Sequence, residues 1–206
     1  MPHPFPEEII LAAAALKRGE VVAYPTETFY GLGVNALDEL ALARLRQLKG
    51  PDRNDKAISV LIAGPDEDAR QAMIAALCAH VPPLARALMA RYWPGPLTIA
   101  MPARPDLPGA LLADGCVALR ESPNVVASAL VATFGGPVTA TSANPSGTPP
   151  ANTPDAVEEA FEGRCRVLHG GTTPGGAPST LVRVRGNRLE ILRQGALQLD
   201  ARDLTL

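Results

Sequence analysis

The chain has 206 residues, 47% of them apolar, with 21 Pro and 18 Gly, and 19 Lys plus Arg against 21 Asp plus Glu. A chain of this length buries about 70% of the surface its unfolded form exposes, so it sustains a core without disulfides or structural metal. Its formal net charge of −2 excludes a surface coated in positive charge for gripping nucleic acid, although a local basic groove is compatible with it.

Ile9, Ala13 and Leu16 share one helical face and Gly19 supplies the stop, after which Val21 to Tyr24 reads as a strand ending at Pro25. A second helix is predicted from about Asp38 to Leu48, with Leu42, Leu45 and Leu48 at helical spacing and Gly50 as its end. Ala57 to Ala63 reads as a buried strand. From Asp66 to Tyr92 the pattern is helical, broken at Pro82-Pro83 and closed by the loop Trp93-Pro94-Gly95-Pro96. Strands are predicted at Leu97 to Met101 and Cys116 to Arg120. Ser122 and Pro123 read as the N-cap and first position of a helix that reaches Phe134 and stops at Gly135-Gly136. A short strand, Val138 to Ala140, leads into Thr141-Ser142-Ala143-Asn144-Pro145-Ser146-Gly147. Thr153-Pro154 opens a helix to Phe161, Val167 to His169 reads as a strand, and Leu181 to Val184 with Leu189 to Leu192 form a hairpin around Gly186-Asn187. With no internal repeat or low-complexity linker, the reading is one α/β domain over residues 1–206 with a twisted mixed sheet and flanking helices.

Cys78, Cys116 and Cys165 are odd in number and form no CxxC pair, which disfavours a disulfide framework or zinc knuckle and fits a reducing cytoplasm. Apolar runs such as Ile9 to Leu16 fall well short of the ~18 residues that suggest a membrane span. The first residues carry no basic region, so a secretory signal is not expected either.

Four irregular segments hang from element ends: Pro25 to Gly33, Lys49 to Lys56, Thr141 to Gly147 and Gly170 to Thr180. Loops held by rigid elements commonly carry binding groups. The first and third offer hydroxyls and amides, the second offers Lys49, Arg53 and Lys56, and the fourth is glycine-rich around Ser179-Thr180. Each has a plainer reading. The basic loop, interspersed with Asp52 and Asp55, could be a solvated surface, Asn144-Pro145-Ser146-Gly147 is strong turn chemistry, and Arg120 and Arg193 at strand ends could form structural ion pairs.

Familiar chemistries are set aside by spacing. Gly31 to Ala36 matches GxGxxA, but Pro25 to Tyr30 intervene between the strand and the first glycine, unlike a dinucleotide site. The sequence contains no GxxxxGK[ST], GxSxG or HExxH motif, and His3, His80 and His169 lie far apart.

Taken together, the loops resemble the YrdC family, the L-threonylcarbamoyladenylate synthases. Tyr24 to Gly33 is similar to the family's opening motif and Thr141-Ser142-Ala143-Asn144 to its SxN motif. Trp93 to Thr98, Val117 to Arg120, Pro178-Ser179-Thr180 and Leu192-Arg193-Gln194-Gly195 are similar to further family segments in the same order. The resemblance implies a twisted α/β fold with a concave groove, in the short single-domain bacterial form. It implies a nucleotidyltransferase that turns L-threonine, bicarbonate and ATP into threonylcarbamoyl-AMP and pyrophosphate, with Mg²⁺ accompanying ATP. The product would serve N6-threonylcarbamoyladenosine modification of tRNA by separate transfer proteins, with a tRNA contact by this chain as a further expectation.

Carried over residue by residue, the resemblance gives Thr28, Tyr30, Arg120, Ser142 and Ser179 to the threonine side, Arg120 suiting a carboxylate by a charge-assisted fork. Lys49, Lys56, Asn144, Asn152, Arg193 and the backbone at Cys116 would face ATP. The family's Lys-Gly-Arg reads Lys49-Gly50-Pro51 here, so Arg53 is expected to replace the missing arginine, and Lys49, Arg53 and Lys56 to supply the catalytic cations. Leu61 stands near the position where some relatives place a histidine. Attack of a carbamate oxygen on the α-phosphorus needs alignment and charge neutralisation rather than a side-chain nucleophile. A rival reading is a YrdC-like RNA-binding protein without adenylation activity, and a second is an enzyme of the same fold acting on another carbamoyl or sugar-phosphate substrate.

Overall fold

The computed structural model describes residues 6–50 and 57–200. Its elements alternate along the chain in a mixed α/β order. Helix α1 (Pro6–Lys17) has acidic residues in its first turn and Lys17 in its last, matching the helix dipole at both ends. It buries Ala12, Ala13, Ala15 and Leu16. Strands β1 (Val22–Pro25) and β2 (Tyr30–Gly33) are fully buried and pair antiparallel, with Val22 opposite Gly33 and Pro25 opposite Tyr30.

Helix α2 (Glu39–Lys49) is capped by Asp38, whose carboxylate accepts the amides of Leu40 and Ala41, and ends at Gly50 with φ of 89°. Its buried face is Ala41, Leu42, Leu45 and Lys49. The lysine therefore continues the apolar stripe into the interior. After strand β3 (Val60–Leu61) come α3 (Glu67–Leu77) and α4 (Pro83–Tyr92), separated by the prolines as expected.

Strand β4 (Leu97–Pro102), a 3-10 turn at Gly109–Leu111, β5 (Leu112–Ala113) and β6 (Cys116–Arg120) precede helix α5 (Val125–Phe134). Then follow β7 (Val138–Thr139), β8 (Thr141–Ser142), α6 (Pro154–Phe161), β9 (Arg166–Val167), β10 (Thr180–Arg185) and β11 (Arg188–Arg193).

The strands divide between two sheets, of order β8-β2-β1-β9 and β11-β10-β4-β6-β3-β7, with β5 added beside β6. Both mix parallel and antiparallel pairs; β10 runs parallel to β4, for example, while β4 and β6 are antiparallel. The chain crosses from the larger sheet to the smaller at Ala140, between β7 and β8. Thr139, fully buried, fastens the crossing: its hydroxyl accepts the Val34 amide at 2.9 Å, and its carbonyl accepts the Tyr24 hydroxyl at 2.7 Å. Helix α1 packs on α5 and β1, and one continuous apolar core joins both sheets.

Three expectations need correction. Tyr30–Gly33, read as loop, is a buried strand, because Gly33 lies so close to Tyr24 and Val138 that a Cβ there would fall 2.7 and 2.6 Å from their side chains. The strand over Ala57 to Ala63 contracts to Val60–Leu61, the residues that pair with Leu119 and Arg120 on one side and Thr139 and Val138 on the other. Asn124, not Ser122, caps α5, accepting the amides of Val126 and Ala127; Ser122 has another partner, described below.

Candidate active site

A hollow of about 780 Å³ opens where the two sheets approach one another. The β1–β2 loop supplies Thr26 and Thr28, β6 ends on it with Arg120, and the segment after the sheet crossing brings Ser142 and Asn144. The glycine-rich segment and its following hairpin add Ser179 and Arg193. Among the described lining residues, Arg120 and Arg193 are the charged side chains and none is a carboxylate. A second hollow of about 750 Å³, bordered by Arg44, Gln47 and Arg166, contains none of the residues assigned to threonine or ATP.

The loop carrying Thr28 is set by its own hydroxyls. The Thr26 hydroxyl donates to the Phe29 carbonyl at 2.7 Å and accepts the Thr28 amide at 3.2 Å, leaving Thr28 buried at the floor of the hollow. The Thr28 carbonyl accepts the Gly175 amide at 2.7 Å, which folds the glycine-rich segment against this loop. Tyr30 is fully buried; its hydroxyl donates to the Gly171 carbonyl at 2.8 Å and accepts the Gly170 amide at 3.1 Å. Burial raises its pKa, so the ring stands neutral as part of the wall.

Lys49 is only 3% exposed and does not line the hollow among the described residues. Its ammonium donates to the carbonyls of Ser142 and, at 2.9 Å, Asn144, while its own carbonyl accepts the Ser146 amide at 2.9 Å. The lysine thus braces the SxN segment from behind. Asn144 turns the same segment, donating to the Thr148 carbonyl at 2.6 Å and accepting the Ser142 hydroxyl.

Arg193 works comparably on the opposite wall. Its guanidinium donates to the Ser179 carbonyl at 2.8 and 3.2 Å and to the Ser179 hydroxyl at 3.3 Å. The Ser179 hydroxyl lies 2.8 Å from that of Thr98. Gly195 permits this approach, since a Cβ there would fall 2.5 and 2.6 Å from the Ser179 backbone.

Thr28, Tyr30, Arg120, Ser142, Ser179, Asn144 and Arg193 therefore converge on one hollow. Three assignments do not: Lys49, which braces the lining from behind, and Cys116 and Asn152. Cys116 is buried in β6 opposite Pro102 and Ala113, at the far end of the strand from Arg120, and Ala113 rather than Cys116 reaches the lining. Asn152 accepts the Thr173 amide and hydroxyl at its backbone carbonyl, and it lies outside the lining. Arg53 and Lys56 fall outside the described residues. Sequence reasoning gave no role to Thr98 or Glu27, although both sit inside matched motifs, Thr98 offering a hydroxyl between Leu97 and Ile99 and Glu27 a charge between Thr26 and Thr28.

An α/β protein whose hollow is lined by hydroxyls, amides and guanidiniums from distant segments is built to hold a polar, anionic small molecule. Comparison with known proteins specifies it further. Residues 14–195 match the Sua5/YciO/YrdC family, described as Telomere recombination, and the chain belongs to that family. A threonylcarbamoyl-AMP synthase of Pyrococcus abyssi is 34% identical over 195 residues, covering 94% of this chain but 55% of the relative, so this chain spans about half that protein's length. One from Chromohalobacter salexigens is 38% identical over 179 residues and covers 85% of this chain and 91% of its own. The crystal structure of P. abyssi Sua5 complexed with L-threonine superposes with a TM-score of 0.83 at 34% identity, covering 93% of this chain and 55% of that one.

Proposed function

We propose that the chain makes L-threonylcarbamoyl-AMP and pyrophosphate from L-threonine, bicarbonate and ATP, for N6-threonylcarbamoyladenosine modification of tRNA. The observation that carries this reading is the convergence of Thr28, Arg120, Ser142, Asn144, Ser179 and Arg193, from five separated motifs, on one hollow. The relatives' name favours synthesis over an RNA-binding role without adenylation.

In this reading the threonine carboxylate meets Arg120, and the hydroxyls of Thr28, Ser142 and Ser179 complete its polar cradle. The threonine nitrogen bonds to the carbon of bicarbonate with loss of water. A carbamate oxygen then forms a bond to the α-phosphorus as the bond to the β-phosphate oxygen breaks in line and pyrophosphate leaves. Arg193 and Asn144 face the nucleotide, Lys49 holds Asn144 in place, and Arg53 and Lys56 supply further cations. Such a site accelerates the reaction by alignment and by neutralising developing charge, with no side-chain nucleophile needed. Mg²⁺ accompanying ATP would neutralise charge on the triphosphate.

The product passes to separate tRNA-modifying proteins that transfer the threonylcarbamoyl group, and the compartment is the cytoplasm. No described helix is long and apolar enough to cross a membrane. The direct test is pyrophosphate release by purified protein. Release that needs ATP, L-threonine and bicarbonate together, and falls when serine replaces threonine, supports the proposal; threonine-independent or absent release overturns it.

A further inference from the structure

Resting on that reading, we infer that Glu27 is a positioning residue that holds the Arg120 guanidinium in its carboxylate-binding place, with Ser122 anchoring Glu27. Glu27 is in the β1–β2 loop of the smaller sheet, whereas Arg120 ends β6 of the larger and Ser122 lies two residues beyond it. Glu27 Oε1 lies 3.1 Å from Arg120 Nη1, with the two side chains 13% and 8% exposed. The other oxygen, Oε2, accepts the Ser122 hydroxyl. Ser122 is set in turn by the Asn124 amide, which donates to its hydroxyl at 3.2 Å beside the start of α5.

The geometry separates charge from hydrogen bonding. Oε1 makes no aligned hydrogen bond despite its ionic contact, and no described residue accepts a hydrogen bond from the Arg120 guanidinium. The guanidinium is therefore kept in place by Glu27's charge while its donors stay directed to a ligand in the hollow that Arg120 lines. A long arginine side chain without such a tether spreads over several rotamers. The apparent affinity for a carboxylate then drops by the fraction of time spent in the competent rotamer.

The test is pyrophosphate release by Glu27→Ala, Glu27→Gln and Ser122→Ala proteins, with thermal unfolding of each as a folding check. If Glu27→Ala reduces the competent rotamer to roughly one-tenth, its threonine KM rises about tenfold, while its ATP KM stays within about twofold. Glu27→Gln keeps one acceptor oxygen, which can serve Ser122 or Arg120 but not both, and removes the charge, so it should recover only part of the loss. Ser122→Ala leaves Arg120 and the carboxylate intact, and should raise the threonine KM by about threefold or more; it decides the matter if Glu27→Ala does not fold. An unchanged threonine KM, or equal rises in both KM values, overturns the inference. Absence of threonine-dependent release by the unsubstituted protein would instead overturn the proposed function, and calorimetric titration of threonine without ATP then tests the Glu27 tether independently.

Discussion

Replacing Lys49 by Met separates a bracing lysine from one that only contacts phosphate. The ammonium donates to the Ser142 and Asn144 carbonyls in a place where the lysine is 3% exposed. Charge-assisted bonds contribute ~1.5–3 kcal/mol each, and both carbonyls would lose this donor. These are net values that already include the ammonium's desolvation, and Met fills most of the volume, so the lower end of the pair's sum applies. The balance is a loss of about 3 kcal/mol in unfolding free energy, or ~6–12 °C in Tm for a domain of this size. Because Ser142 is assigned to threonine and Asn144 to ATP, K49M should raise the KM of both substrates. Urea and thermal unfolding, followed by pyrophosphate-release kinetics with each substrate varied, provide the assay. A K49M protein as stable as the original, with only its ATP kinetics impaired, would refute the bracing role.

Gly195→Ala drives a Cβ against the Ser179 backbone, so the 178–180 segment must shift; a stability loss of about 1–3 kcal/mol by urea unfolding and a measurable rise in threonine KM are expected. Tyr24 is completely buried and its phenol is pushed well above its ordinary pKa by desolvation. Above pH ~10 the unfolded chain releases this proton while the folded chain keeps it, so stability is fully present below that pH and falls as pH rises through it. Urea midpoints measured from neutral to alkaline pH should show this limb, and Tyr24→Phe should make it shallower. Burial pushes the Cys78 and Cys165 thiols up to about 12 and about 11. At pH 8 their thiolate fractions are then ~10⁻⁴ and ~10⁻³, so alkylation followed by peptide mass spectrometry should find both labelled far more slowly than a free thiol.

Local signals located the elements whose ends are fixed locally. Thr153-Pro154 caps and opens α6, and the Gly186-Asn187 turn joins β10 to β11, both where cap and turn chemistry place them. What escaped depends on contacts between distant residues. The glycines of Tyr30–Gly33 resemble loop punctuation until the Tyr24 ring is seen 3.3 Å from where a Gly31 Cβ would stand. Ser122 and Asn124 are both good capping residues flanking Pro123, and Glu27, across the sheets, claims the first. The α2 periodicity gave Leu42 and Leu45 to the core; extending it by four residues puts Lys49 on the same face, the signal that this lysine points inward. The site was legible as a set of motifs. Their order gave the lining, but not that Cys116 and Asn152 lie outside it, since for Cys116 the antiparallel pairing with Pro102 and Ala113 places it at the far end of β6 from Arg120.

The cation-bearing motifs are paired in space with hydroxyl-bearing ones, and this explains why they occur as a set. Lys49, at the end of α2, supports Ser142 and Asn144; Arg193, at the end of β11, supports Ser179 before β10; Arg120, at the end of β6, meets Glu27 from the loop that carries Thr28. The Lys49 and Glu27 ties cross between elements that share no backbone ladder at that point and so fix one wall of the hollow relative to another, whereas the Arg193 tie closes the end of the β10–β11 ladder, where Arg193 stands opposite Leu181. A substitution consequently reads out on the wall it supports and not merely at its own atoms. Loss of the Lys49 tie loosens a segment assigned to both substrates, whereas loss of the Glu27 tie loosens a single guanidinium assigned to threonine. Opposite KM patterns for K49M and Glu27→Ala in one assay, both substrates against threonine alone, would distinguish this division from a uniformly softened fold, in which the two variants would behave alike.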